Sequence, residues 1–326
     1  MTDWPTQEHR LRIGTRGSPL ALAQAHETRD RLMRAHGLPE AAFEIIVIKT
    51  TGDRILDRPL QAIGGKGLFT REIEDALLDQ KIDIAVHSMK DMPVLQPDGL
   101  VIDCYLPRED VRDAFVSAAF ARIADLPQGA VVGSSSLRRR AQLAHIRPDL
   151  RLVEFRGNVQ TRMQKLADGV AQATFLAMAG LNRLGRADIA RDAIAPDEML
   201  PAIAQGAIGI ERRRGDDRMA ALLAPITDAP TVLRLRAERA FLGALDGSCE
   251  TPIAGLAELQ GDVLRLRGEI LMPDGSRRFA GERNGPADDG AAMGRDLAAE
   301  LLGRAPGDFL DLIGVSARRG SPPLPG

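Results

Sequence analysis

Aromatic residues are scarce: Phe, Trp and Tyr make up 3% of the 326 residues, with a single Trp and a single Tyr. A nucleic-acid face built on stacked rings is therefore unsupported, and the core must be packed from aliphatic side chains. Cysteine is scarcer still. Cys104 and Cys249 cannot form a disulfide framework for so long a chain, and neither belongs to a C-x-x-C or Cys/His cluster suited to zinc. The histidines, His9, His26, His36, His87 and His145, are scattered with no H-E-x-x-H among them, so no metal is expected. No run reaches the roughly 18 apolar residues of a membrane span. Met1 to Arg10 is polar, without the basic start and apolar stretch of a secretory signal. A cytoplasmic protein with no membrane partner is the expectation. An excess of one charge is also missing: 43 Lys plus Arg against 45 Asp plus Glu leave a net charge of -2, with no electrostatic footprint for nucleic acid.

What is present is an ordinary globular balance, 44% hydrophobic and 27% charged, in a chain long enough for two or three domains. Among the basic residues only Lys49, Lys66, Lys81, Lys90 and Lys165 are lysines. A coding bias toward arginine accounts for part of the excess. Even so, guanidinium forks bind carboxylates or phosphates bidentately, so the positions of the arginines carry information.

Leu11 to Gly14 reads as a strand, and Ser18-Pro19 opens a helix that Gly37 closes after His36. A second strand is predicted over Phe43 to Lys49, and a third over Ile82 to Val86. Between them, Leu68, Ile73, Ala76 and Leu77 recur at helical spacing. The alternation predicts βαβ units and a mostly parallel sheet. It restarts near Asp113: strands over Ala114 to Ser117, Ala130 to Gly133, Leu152 to Phe155 and Ala173 to Leu176, with helices from Ser136 and Asn158. Pro107 to Arg112 marks the boundary, and Ala207 to Ile210 reads as a strand returning to either unit. A helix over Val232 to Leu245 leads to a different pattern. Strands over Pro252 to Glu258, Val263 to Leu271 and Arg277 to Glu282, with a turn at Pro273-Asp274-Gly275, predict a small antiparallel sheet. A last helix is predicted over Asp288 to Leu302, and the Pro- and Gly-rich tail from Gly320 is expected to be mobile.

Four places carry chemistry. Gly64-Gly65-Lys66-Gly67 lacks Walker spacing and reads as a lid in which Lys66 approaches a ligand. Gly133 to Arg140 joins a strand end to a helix start, where free N–H groups and the helix dipole favour an anion. The alternative there is a plain N-cap followed by solvated arginines. Phe155-Arg156-Gly157-Asn158 with Arg162, and Thr15-Arg16-Gly17-Ser18, repeat the arrangement, which points to a polyanionic small molecule in a crevice of two α/β domains. His87 to Pro93 ends a strand in polar residues. Asp91 there could protonate a leaving group or stabilise a cation, or form a surface pair with Lys90. Cys249, in a small-residue loop, reads as a reachable thiol, a nucleophile or an attachment point, whereas Cys104 reads as a packed strand residue.

From Leu11 to Leu302 the chain resembles the porphobilinogen deaminase (hydroxymethylbilane synthase) family. The likeness is carried by Gly14 to Leu22, Gly64 to Phe69, Asp83 to Pro93, Gly133 to Arg139, Arg156 to Asn158, Leu200 to Gly209 and Leu245 to Pro252. The resemblance implies two periplasmic-binding-protein-like α/β domains plus a smaller α+β C-terminal domain with an antiparallel sheet. Their expected extents are 10–106 with 204–225, 112–200 and 229–315. It implies a dipyrromethane cofactor on a thioether to Cys249. It further implies stepwise loss of ammonia from porphobilinogen through an azafulvene to the linear tetrapyrrole hydroxymethylbilane, in haem and other tetrapyrrole biosynthesis. Asp91 takes the catalytic role. Arg16, Arg138, Arg139, Arg156, Arg162 and Arg183, with Lys90, Ser88, Ser135 and Ser136, bind acetate and propionate groups. Asp53, Lys66 and Phe69 fall on a mobile loop, and Gln205 near the active site. A monomer without metal is implied.

The chain departs from the family pattern at Ser134, which keeps the hydroxyl of the usual Thr, at Ala62, where relatives carry a basic residue, and at Glu250-Thr251. Two other readings compete: a solute-binding module without chemistry, and a transferase using Cys249 as a transient nucleophile.

Overall fold

The structure, a computed structural model, describes residues 4–54, 70–247, 251–307 and 309–313. In chain order the first elements are β1 (Leu11–Thr15), α1 (Pro19–His36), β2 (Phe43–Val47), α2 (Arg71–Leu78), β3 (Ile84–Ser88) and β4 (Leu100–Tyr105). Next come β5 (Asp113–Ser117), β6 (Val131–Gly133), α3 (Leu137–Ile146), β7 (Arg151–Val153), α4 (Val159–Ala167), β8 (Ala173–Ala177), α5 (Met178–Arg183) and β9 (Asp192–Ala193). The chain continues through β10 (Ile208–Arg213), α6 (Asp217–Leu223), α7 (Ala229–Ala244), β11 (Ile253–Gln260), β12 (Val263–Leu271), β13 (Arg278–Pro286) and α8 (Gly290–Arg304).

These elements build two five-stranded sheets, ordered β2-β1-β3-β10-β4 and β7-β6-β8-β5-β9, and one three-stranded sheet, β11-β12-β13. The class is α/β with a separate antiparallel C-terminal sheet, as the sequence pattern predicts. In each larger sheet four strands run one way and one is reversed. β10 lies antiparallel between β3 and β4, and β5 lies antiparallel between β8 and β9. The return strand expected near Ala207 thus joins the first sheet. It is buried from Ile208 to Arg212, because it sits between two neighbours under helices.

Local chemistry sets the boundaries. Ser18 caps α1 by accepting the Ala21 N–H (3.2 Å), and Gly37, at φ +65°, ends it. β3 begins two residues after the predicted start, since the Asp83 carboxylate takes the Arg12 N–H (2.8 Å) and guanidinium. β7 stops at Val153 because Phe155 turns inward and fills the core. Its ring lies where a Cβ on Gly133 would be, 2.4 Å away, so only glycine fits at that position. β12 alternates Leu264 and Leu266, buried, with Arg265 and Arg267, while Leu297 and Leu301 of α8 pack on this sheet.

The chain gathers into two compact units: residues up to Val111 with 178–187 and 205–232, and residues 112–177, 188–204 and those from Leu233 onward. Segment 178–187, expected with the second α/β unit, clusters with the first. Arg183 is the physical reason: it donates to Glu27 of α1 and to the Gly206 carbonyl, both at 3.1 Å. Among the described residues no helix is long and apolar enough to cross a membrane, and no group of three or more His, Cys, Asp or Glu is disposed to hold a metal. The tail from Gly320 lies outside the described residues.

Candidate active site

In the first unit, β1 and β3 are parallel neighbours, so their carboxyl ends open on one edge of the sheet. β1 leads into Arg16 and the Ser18 cap. β3 ends at Ser88 and passes into a single turn, Met89–Asp91. A cavity of about 80 Å³ lies there, its polar lining made by Arg16, Ser18, Gln24, Thr70, His87, Ser88 and Asp91. Met89 and Met92, 1% and 5% exposed, anchor the turn in the core on both sides of Asp91. The Met89 N–H also donates to the Ala207 carbonyl (3.0 Å). A carboxylate on pinned backbone is thereby held at the rim while remaining exposed. Buried Gln24 donates to the Ser88 hydroxyl at 2.7 Å, orienting it. Lys90 is half-buried on the same turn and does not line this cavity.

On the β3 face that packs against α2, His87 Nε2 lies 3.0 Å from Glu211 Oε2 on β10, both side chains being buried. Glu74 of α2 is buried nearby. Burial raises its carboxyl pKa above the ordinary range, and the Glu211 charge raises it further.

In the second unit, the parallel strands β6, β7 and β8 again end on one edge. Ser136 caps α3 by accepting the Arg139 N–H, Ser134 accepts the Ser136 N–H (3.3 Å), and Ser135 accepts the Phe155 N–H (3.1 Å). Each hydroxyl uses a lone pair here and keeps its own O–H to donate, so capping and carboxylate binding are compatible roles. Arg138 and Arg139 are buried and grip the two oxygens of fully buried Asp113, each at 2.7 Å. Arg138 also donates to the Leu200 carbonyl (2.8 Å) and Arg139 to the Phe175 carbonyl (2.9 Å). The structure therefore gives both arginines partners within the protein. Arg162 donates to Gly157 (2.9 Å) and to the same Phe175 carbonyl (3.4 Å). Burial lowers its pKa to about 10, and the Arg139 charge adds to the effect. Arg138 and Arg139 thus share Asp113, with the Glu269 charge also acting on Arg138, while Arg162, beside Arg139 and influenced by Glu154, has no carboxylate hydrogen-bonded to it in the described contacts and suits an incoming anion. Half-buried Arg156 borders this junction, its carbonyl accepting from Lys165 (2.9 Å).

A test of the role of Arg162 follows from the sign of this shift. Burial holds the folded-state pKa of Arg162 below the ordinary guanidinium range, so its charge opposes folding at every pH below about 10. Arg162→Gln is expected to raise the melting temperature of the ligand-free chain by roughly 2 °C, and to weaken binding of a polycarboxylate ligand. Calorimetry of unfolding and of binding checks both; a lower melting temperature with undiminished binding refutes the role.

Among the sequence-predicted residues, Arg16, Ser88 and Asp91 meet around one cavity, and Ser135, Ser136, Arg138, Arg139 and Arg162 meet at one junction. Arg183 and Gln205 join neither group. Gln205 is buried and donates to the Val111 carbonyl (2.7 Å), while its own carbonyl accepts from Arg108 (2.9 Å). The Asp53 side chain, Lys66, Phe69 and Cys249 lie outside the described residues. Sequence reading missed Gln24, Thr70, His87 and Asp113 as site residues. Gln24 stands two helical turns after the Ser18 cap, a signal that was available. Asp113 lies 25 residues from Arg138 and had no local signal.

An α/β chain that presents an exposed carboxylate beside hydroxyl and amide donors, and a second junction lined by arginines, fits the class of enzymes acting on an anionic small molecule. A family model described as "Porphobilinogen deaminase, dipyromethane cofactor binding domain" matches residues 11–221, and one described as "Porphobilinogen deaminase, C-terminal domain" matches 232–303. The chain is 76% identical over 311 residues to the porphobilinogen deaminase of Paracoccus denitrificans (strain Pd 1222), covering 95% of this chain and 99% of that protein. The chain belongs to the porphobilinogen deaminase family. It is a transferase that joins porphobilinogen units with loss of ammonia into hydroxymethylbilane, in tetrapyrrole biosynthesis, and the family carries a dipyrromethane cofactor.

At the level of fold the chain is also similar to a periplasmic substrate-binding protein of an ABC transporter from Coxiella burnetii. That likeness has 15% identity, covers 68% of this chain and 94% of that one, and has a TM-score of 0.40. A nutrient binding protein from Burkholderia cenocepacia bound to methionine matches at 14% identity, 68% and 93% coverage, and a TM-score of 0.41. Both likenesses are weak across the whole chain, and the architecture is defined by the three sheets themselves.

Proposed function

We propose that Asp91 is the catalytic carboxylate of this reaction and that Cys249 carries the dipyrromethane through a thioether. The observation that supports the first assignment most directly is the anchored turn between Met89 and Met92, which offers Asp91 to a cavity with Arg16 and Ser88. As the C–N bond of the aminomethyl group breaks, its electron pair leaves with ammonia and positive charge spreads over the pyrrole. A carboxylate at the rim stabilises that charge and accepts pyrrole N–H bonds.

The donor set also fits the cofactor. Dipyrromethane bears acetate and propionate groups, and the guanidinium of Arg162, with the O–H groups of Ser135 and Ser136, supplies what such groups require. Arg16, Arg138, Arg156, Arg183, Ser88 and Lys90 are proposed to bind further carboxylates, directly or by fixing these neighbours, and Gln205 to hold the segment beside the cavity. When bound, the cofactor supplies a pyrrole α-carbon as the nucleophile that starts the chain. Cys104 is a poor competitor for attachment, because burial pushes its thiol pKa up to about 12. We also infer three domains, 10–106 with 204–225, 112–200 and 229–315, supported by the three sheets, with segment 178–187 making its contacts in the first unit, and a cytoplasmic monomer that uses no metal, membrane or nucleic acid, supported by the family likeness.

Intact mass measurement of the denatured protein beside Cys249→Ser tests the attachment. The expected result is an excess equal to one dipyrromethane that disappears in the variant. A wild-type chain that stays unmodified after incubation with porphobilinogen would overturn it.

A further inference from the structure

We propose that His87, backed by Glu211, is a second acid–base group of the cavity beside Asp91, and takes the proton released when a pyrrole unit is joined.

The reaction proposed above, on which this reading depends, requires such a group. In each addition the C–N bond breaks and its electron pair leaves with ammonia, and a C–C bond forms at the α-carbon of the pyrrole already bound. The C–H bond at that carbon then breaks, its electron pair returns to the ring, and its proton must go to a base. A carboxylate placed to stabilise the cation has a conflicting task, since protonating it removes the stabilising charge.

His87 lines the same cavity as Asp91. Its Nε2 is engaged by Glu211 at 3.0 Å, which leaves Nδ1 as the nitrogen able to accept a proton, directly or through one water. A carboxylate behind an imidazole fixes the tautomer and stabilises the imidazolium once formed. The surroundings are not those of a pair kept only for stability. Glu211 Oε1 is buried with no hydrogen-bond partner among the described residues, a cost that a structural contact would avoid. Glu74 is a second buried carboxyl near the pair, and its raised pKa adds capacity to hold a proton there. The charged groups beside the imidazole are thus Glu211 from β10 and Glu74 from α2, and Asp91 and Arg16 line the same cavity.

Two readouts test the proposal. The first is NMR titration of the His87 ring in the whole protein, assigned by its loss in His87→Gln. The midpoint of the ring signal is expected to be lower in Glu211→Gln than in wild type, since the stabilising charge is gone. A ring signal that Glu211→Gln leaves unchanged overturns the proposal. The second is turnover of porphobilinogen deuterated at its free α-carbon. Wild type should show little isotope effect. In His87→Gln, kcat should fall roughly 100-fold or more with KM little changed, and a primary isotope effect should appear because proton removal has become limiting. A loss of kcat without an isotope effect would show that His87 serves only to hold the strand, and would equally overturn it. If His87→Gln fails to fold by circular dichroism, Glu211→Gln carries both readouts. A wild-type chain that does not consume porphobilinogen defeats the reaction assignment instead, and the NMR titration separates that failure from this one.

Discussion

Asp91→Ala is expected to lower porphobilinogen consumption by roughly 100- to 10,000-fold while leaving the fold intact. The carboxylate is exposed, so its removal opens no core cavity, and the turn that carries it is held by Met89, Met92 and the Ala207 carbonyl. Surface changes of this kind usually move stability by less than about 0.5 kcal/mol. Asp91→Glu keeps the charge but displaces it by one methylene, and should retain part of the rate, because stabilisation of a developing cation falls off with misplacement. Rate measurements beside melting curves check the set. A near-normal rate in Asp91→Ala would sink the catalytic assignment, and an equal fall in melting temperature would recast Asp91 as a structural residue.

Asp113→Ala should cost about 3–5 kcal/mol of stability, the largest effect expected of any single substitution considered. The carboxylate is fully buried and is shared by Arg138 and Arg139, so its loss leaves two buried guanidiniums with no directly paired carboxylate, only the Glu269 charge still acting on Arg138. Burial already lowers the Arg138 pKa, and the Asp113 charge is the first influence restoring it. Asp113→Asn keeps the volume and one acceptor and should be milder. Urea unfolding reads the change as a lower midpoint at unchanged slope. A shift below about 1 kcal/mol would mean that Arg138 and Arg139 are satisfied by their carbonyl partners, and that Asp113 contributes little. The same geometry refines the expectation for the arginines. Arg138→Lys should act mainly on stability, since its fork bridges Asp113 and the Leu200 carbonyl, whereas Arg162, with carbonyl partners only in the described contacts, is better placed to act on a ligand.

Much of this was legible in the chain because it is written locally. Ser18-Pro19 and Gly37 delimit a helix through the backbone bonds they make, and β12 shows its buried face through the alternation of Leu264 and Leu266 with arginines. The strand-to-helix junctions announced themselves as hydroxyls and glycines followed by arginines, and the first lines a cavity while the other two meet at one arginine cluster. What escaped was the work each arginine does. Arg16 and Arg138 stand in similar local sequence, after a strand and near a serine cap, yet one is half-buried at a cavity rim and the other is locked on a buried carboxylate.

By itself the sequence determined the α/β class, the separate C-terminal antiparallel sheet and the family, because hydrophobic period, capping residues and motif order are all properties of neighbours along the chain. Only the tertiary structure decided that β10 enters the first sheet in reverse, that segment 178–187 clusters with the first unit, that Asp113 serves two arginines, and that Glu211 stands behind His87. Each of those is a pairing between residues from 25 to more than a hundred positions apart. Such a pairing leaves no local periodicity, and it acquires its energy only when folding removes both partners from water.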